Sequence, residues 1–303
     1  MATSAPLITA IVPTYNSAPT LRTALASLVG QDCGDFEALV MGDGCSDGSE
    51  AVVGLFNDAR LTWRNLPVNS GSQSEPNNHA LRQARGQWIA YLGHDDLWFP
   101  WHLSGLLTAV TDRGADFAAS TCLLLDPDGR HDVTGPIGSG RSFADQYTPP
   151  SSWLHRREIV DRIGLWRSPA SLRYGVDFDY QRRIALAGYH CLHVRRLSVL
   201  KFPSGWWGNY DHSRQHPQAG YLERITGAPL DVERDLLGDL VARYVSEDKG
   251  VKPGQPLGAA VRASFRYIAD GYGRDRWPMS AFLYWRQQRF MRRNRPRRGL
   301  PVQ

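Results

Sequence analysis

Lysine is nearly absent from this 303-residue chain: Lys201, Lys249 and Lys252 are the only three among 35 basic residues. So strong an arginine bias reads as coding composition, and a net charge of +5 does not by itself commit the protein to an anionic partner. Cysteine is equally sparse. Cys33, Cys45, Cys122 and Cys191 are scattered without a C-x-x-C pair, which argues against a disulfide framework or a structural zinc site and for a reducing cytoplasm. No apolar run reaches the ~18 residues that a membrane span needs. The opening "MATSAPLITAIVPTYN" lacks the basic n-region and long apolar core of a signal peptide, so the expected setting is the cytoplasm. Neither of the first two strand turns carries G-x-G-x-x-G, which disfavours a dinucleotide-dependent oxidoreductase. There is no internal repeat.

What is present is globular composition, with 42% apolar and 21% charged residues and enough length for one large domain or a domain with an appendage. "LITAIVP" (7–13) is a short β-branched run stopped by proline, and "TLRTALASLVGQ" (20–31) follows with apolar residues at helical spacing. "FEALVMGDG" (36–44), the helical "SEAVVGLFN" (49–57) and "LTWRNLP" (61–67) continue a βαβαβ order. Strands near 7–12, 36–41 and 61–66 predict a mostly parallel sheet flanked by helices. A helix over 74–85 and a strand over 86–96 extend the pattern. Farther on, the sequence predicts a strand and turn over 116–129, a strand-then-helix over 151–166, a helix over 177–189 and a strand over 190–202, before mainly helical sequence to the end.

Three strands end in polar turns, "PTYN", "GDGCSDGS" and "GHDD". In open α/β sheets, ligands sit beyond the carboxyl ends of the strands. The adjacent carboxylates of Asp95 and Asp96 repel one another and call for a cation or hydrogen-bond donors. The plainer alternatives are that Asn16 or Ser17 caps the first helix and that Asp95 or Asp96 caps the helix beginning in "WFPWHLSGLL".

These segments, in this order and spacing, resemble glycosyltransferase family 2, most strongly over 7–103 and more weakly to 202. The resemblance implies an α/β GT-A (Rossmann-like) domain over 1–203, with a nucleotide-sugar-binding half (7–103), an acceptor and catalytic half (104–203), and a mainly helical extension with a basic tail over 204–303. It implies an inverting, metal-dependent hexosyltransferase in cell-wall or polysaccharide biosynthesis, taking a UDP-, GDP- or TDP-linked sugar to a hydroxyl of a glycan, lipid-linked or small-molecule acceptor. Pro13, Thr14 and Tyr15 would line the base, and Asp43 would hydrogen-bond the base or ribose. Asp95 would hold Mg²⁺ or Mn²⁺ on the donor diphosphate, with Asp96 as second contact, since hard cations prefer carboxylate oxygens. Asp177 would be the general base, with Asp179 as understudy. The plainer reading of both is acids favoured in a first helical turn.

Four departures stand out: Gly42 and Gly93 replace the first aspartates of the family's D-D-G-S-x-D and D-x-D-D, Asn77 replaces an arginine, and Val176 a glutamate. His94 could substitute as a donor or borderline metal ligand. In "GWWGNYDHSRQHP" (205–217), His212 and Arg214 are candidates for the diphosphate, and Trp206 and Trp207 either stack on sugar or pack on the core. The Arg-rich "WRQQRFMRRNRPRR" (285–298) suits peripheral contact with an anionic membrane face or is a solvated tail. Two other classes compete: a decayed nucleotide- or sugar-binding protein marked by the four departures, and a nucleic-acid binder, disfavoured for want of a reading module.

Overall fold

A computed structural model of the chain describes residues 5–127, 131–134, 142–207 and 216–246. The first part alternates as expected: β1 (Ile8–Thr14), α1 (Ala18–Val29), β2 (Phe36–Gly42), α2 (Ser49–Leu55), β3 (Leu61–Asn65), α3 (Ser74–Leu81) and β4 (Trp88–Tyr91). Then come β5 (Leu97–Trp98), α4 (His102–Arg113), β6 (Phe117–Leu125), β7 (His131–Thr134), β8 (Trp153–Arg156), α5 (Ile159–Ile163), α6 (Val176–Leu186), β9 (Cys191–Lys201), α7 (Ser204–Trp207), α8 (Gln218–Gly227) and α9 (Pro229–Ser246).

The main sheet runs β3-β2-β1-β4-β8-β6-β9-β5, with β7 beside β6. Its first four strands are parallel. β1 is apolar on both faces, with Ile8, Ala10, Ile11 and Val12 fully buried, as a central parallel strand requires. α1 covers it with Leu21, Ala24, Leu25 and Leu28, the i, i+3, i+4, i+7 stripe of an amphipathic helix. Each buried leucine contributes roughly 1.5–3 kcal/mol.

Beyond β4 the sheet becomes mixed. β8 runs antiparallel to both β4 and β6, β9 is parallel to β6, and β5 is antiparallel to β9. The strand expected over 86–96 ends at Tyr91, because the chain turns at Gly93, where the Asp96 amide donates to the Gly93 carbonyl, before β5 begins. α8 and α9 are packed against this end of the sheet: Ile225, Val232 and Leu236 are buried with Leu97, Leu125 and Phe202.

Register decides what meets at the strand ends. Pairing of Ile8 with Phe36 through Thr14 with Gly42 ends β1 and β2 side by side, and pairing of Ile11 with Tyr91 carries the "GHDD" turn along the end of β1. At the other edge Leu97 pairs with Leu200 and Trp98 with Val199, so one step back Asp96 stands opposite Lys201.

Candidate active site

The first two polar turns are stitched together. Asn16 adopts the left-handed region (φ 40°), and its Oδ1 accepts from the Ser46 amide at 2.8 Å. The first amide of α1, that of Ala18, donates to Asp47 Oδ2 of the neighbouring turn at 2.9 Å, so the cap comes from there and neither Asn16 nor Ser17 supplies it. Gly44 (φ +71°) is required: a Cβ there would stand 2.5 Å from the Asn69 amide nitrogen. Gly42 has a different reason. The Asn65 amide clamps Cys45 through its N–H and carbonyl, both at 2.8 Å, and a Cβ at 42 would lie 2.5 Å from Asn65 Oδ1 and 2.7 Å from the Trp63 ring. Asn65 and Trp63 thus fill the volume that an aspartate at 42 would take.

A cavity of about 310 Å³ opens at these strand ends, lined in the first half by Pro13, Thr14, Tyr15, Asp43, His94 and Asp95. Asp43 is buried, and its carboxylate accepts from the Ser70 amide (3.0 and 3.1 Å) and Ser70 Oγ (3.0 Å). Burial pushes its carboxyl above the ordinary value and the Ser70 donors partly offset this.

In the "GHDD" turn the two aspartates part company. Asp95 lines the cavity; its Oδ2 accepts from Ser204 Oγ at 2.5 Å and its backbone carbonyl from Gln218 Nε2 at 3.1 Å. Asp96, expected as a second contact to a cation, is instead turned inward and fully buried. Its Oδ2 accepts from Ser151 Oγ (2.5 Å) and Lys201 Nζ (2.9 Å), and its Oδ1 from the Phe202 amide (3.1 Å). Neither caps a helix, because α4 starts at His102 behind Trp101. Gly93 is again a matter of space, since a Cβ there would lie 2.8 Å from Asp96 Oδ2. His94 places Nδ1 3.2 Å from the Pro13 carbonyl. A carbonyl only accepts, so Nδ1 is the donor in this contact.

The second half brings Tyr147, Asp177, Lys201 and Ser204 to the same cavity. Asp177 stands in the first turn of α6; its Oδ2 accepts from the Tyr147 hydroxyl at 2.8 Å and its Oδ1 from the Phe178 amide at 2.9 Å. Asp179 is buried and paired with Arg183 (2.8 Å) and Arg167 (3.4 Å), outside the cavity lining, so the understudy for the base is a structural ion pair. Val176 lines the cavity. Asn77 is fully buried and its amide has no hydrogen-bond partner among the described residues, and nothing explains that substitution. Trp207 packs against Phe202 and donates Nε1–H to the Leu125 carbonyl at 2.8 Å, which makes it core packing. His212, Arg214 and the Arg-rich 285–298 lie outside the described residues.

Lys201, Tyr147 and Ser204 carried no motif. The one available signal was the rarity of lysine. Among the described residues that line the cavity, Lys201 is the only one with a permanent positive charge. The described residues hold no group of three His, Cys, Asp or Glu side chains suited to a metal.

Residues 9–155 match the sequence model of the family described as Glycosyl transferase family 2. Over 125 residues the chain is 32% identical to the succinoglycan biosynthesis protein ExoO of Rhizobium meliloti (strain 1021), covering 41% of this chain and 36% of ExoO. The chain spans from 14% to 50% of the length of curated relatives it matches. Among solved structures, S. aureus TarS 1-349 in complex with UDP-GlcNAc superposes with a TM-score of 0.54 at 19% identity, covering 82% of this chain and 77% of that one. The mannosyltransferase PcManGT from Pyrobaculum calidifontis, in complex with GDP-Man and Mn²⁺, does so with a TM-score of 0.54 at 18% identity, covering 95% and 86%. The shared fold is GT-A.

Proposed function

Residues 9–155 of the chain belong to glycosyl transferase family 2, and from that premise we propose that the protein is an inverting glycosyltransferase, moving one sugar from a nucleoside-diphosphate sugar to an acceptor hydroxyl. The observation that carries this reading is the meeting of Asp43, Asp95 and Asp177 around one cavity, from three separate segments of the chain. Pro13, Thr14 and Tyr15 flank the base, with the tyrosine ring as a stacking face. Asp43, held by Ser70, accepts from a base N–H or a ribose hydroxyl.

Asp177 takes the proton of the acceptor hydroxyl as its oxygen attacks the anomeric carbon. The bond from that carbon to the diphosphate oxygen breaks, and the nucleoside diphosphate leaves from the opposite face. A single displacement with one base inverts the anomeric centre. The Tyr147 hydroxyl fixes the Asp177 carboxylate.

The donor set fits a divalent cation shared with the substrate. Of the three carboxylates that line the cavity, Asp95 is the one supplied by the "GHDD" turn, and a single such ligand matches the way Mg²⁺ is held by one or two carboxylates plus substrate phosphates. When bound, Mg²⁺ or Mn²⁺ would offset the charge developing on the leaving diphosphate. The re-fitting of side chains around Gly42 and Gly93 favours a working site over a decayed one, because both gaps are filled by ordered partners. A glycan, lipid-linked or small-molecule hydroxyl serves as acceptor. No helix among the described residues is long and apolar enough to cross a membrane, and membrane contact through the C-terminal arginines belongs to this proposal alone.

The test is calorimetric titration of UDP, GDP and TDP with Mn²⁺ and then with EDTA, on the wild type and Asp95→Ala. One nucleotide should bind with metal-dependent affinity that the variant loses by about 10- to 100-fold. Absence of binding by all three under every condition would sink the reading.

A further inference from the structure

We infer that Lys201 is the protein's own cation for the donor diphosphate, and that Asp96 is its counterion and takes no part in holding a metal. The inference rests on the proposed nucleotide-sugar reading and names which residue of that site meets the phosphates.

Three observations lead there. The antiparallel register of β5 and β9 sets Asp96 opposite Lys201, and the pair closes at 2.9 Å. Asp96 is wholly buried, whereas the Lys201 side chain keeps 21% of its surface and lines the cavity. The buried carboxylate is also saturated by Ser151 and the Phe202 amide, so the pair is a fixed dipole whose ammonium end faces the cavity. Among the described residues Asp96 is the only hydrogen-bond acceptor for Nζ, and an ammonium has three N–H donors. At least one therefore remains for a ligand.

Even with a divalent cation at Asp95, the charge of the cavity favours such a group. Asp43, Asp95 and Asp177 all line it, and a diphosphate entering among three carboxylates meets repulsion that a positive charge must offset. Burial pulls the Lys201 ammonium down, but Asp96 and Asp95 more than offset it and hold it above the ordinary lysine value, so it stays charged. A purely structural role explains the pair less well. A buried ion pair is weak evidence for stability, since well-packed apolar residues usually serve as well. A cavity-facing ammonium with an unused donor does have a function to perform at this site.

The test uses the full chain and the nucleotide that the wild type binds best among UDP, GDP and TDP, compared with the corresponding monophosphate, with Mn²⁺ and again in EDTA. Lys201→Met alone would strand a buried carboxylate, so the main variant is Lys201→Met with Asp96→Asn, its folding checked by thermal melting. Diphosphate affinity should fall about 10- to 100-fold in the double variant, with monophosphate affinity changed less than about threefold, and Lys201→Arg should restore most of the difference. On the wild type, the diphosphate should protect Lys201 from acetylation by an amine-reactive ester while Lys249 and Lys252 stay unprotected in the same sample. Unchanged diphosphate affinity in a folded double variant, or no protection of Lys201, would overturn the inference while leaving the nucleotide reading intact. A wild type that binds no nucleotide would remove that reading itself.

Discussion

In residues 8–98 the cavity is lined mostly from the ends of the parallel strands β1 to β4 and the loops that follow them, whereas in residues 142–204 Tyr147 lies in a connecting segment, Asp177 in a first helical turn and Lys201 at the end of an antiparallel edge pairing. The first arrangement repeats one device, a strand delivering its loop to a common edge. The second converges from elements with no shared pattern. On the proposed function this amounts to a division of labour, in which the regular half would hold the nucleotide and the irregular half would carry out the chemistry.

The sharpest test of that division is Asp177→Asn. Initial rates with a donor and acceptor that the wild type accepts should fall about 10²- to 10⁴-fold, while nucleotide affinity and melting temperature stay as in the wild type. A comparable loss of nucleotide affinity would place the residue in both halves and break the comparison. In the regular half, Gly93→Asp restores the family's residue and should be harmful, since its Cβ would sit 2.8 Å from Asp96 Oδ2 and its side chain would be a third carboxylate in this turn. An overpacking cost of about 1–3 kcal/mol, read by denaturant melts, is expected from sterics alone.

Asp43 gives a pH signature to the half proposed to hold the nucleotide. Its carboxyl is raised by burial, so protonation sets in above the ordinary 3.8, and nucleoside monophosphate affinity should fall as the pH is lowered through that window. Stability moves the other way. A folded value raised above the unfolded one means that the ionised group costs stability above the folded value, and this cost disappears as the pH falls through it. Binding titrations and melts across the same pH series should therefore show opposite slopes from this residue. The smallest expected effect is that of Tyr147→Phe, which removes one hydrogen bond to Asp177; a drop in transfer rate of about 2- to 10-fold with unchanged nucleotide affinity would mark a positioning role.

The regular half was legible because period and punctuation coincide there. The β-branched run stopped at Pro13, the Gly-Asp-Gly break and the "GHDD" turn each mark a strand end, and parallel topology then brings the ends together. The reading stopped at Asp96. Two adjacent aspartates look alike in a sequence, and only the register of β5 against β9 sends one to the cavity and the other into the core. Asp177 and Asp179 posed the same problem, two residues apart on a helix. Rotation by 200° puts them on different faces. Arg183 and Arg167 claim the buried one and Tyr147 the other.

The sequence by itself determined the alternating elements and the three polar strand ends, because local propensity and spacing are properties of contiguous residues, and its resemblance to glycosyltransferase family 2 singled out Asp43, Asp95 and Asp177 as candidates. Tertiary structure alone decided which aspartate of each pair faces the cavity, that Asn65 and Trp63 occupy the space at Gly42, and that Lys201 is the cation beside Asp95 and Asp96. These depend on contacts between residues as far apart as 96 and 201, and chain order alone carries no information about which distant partner will arrive.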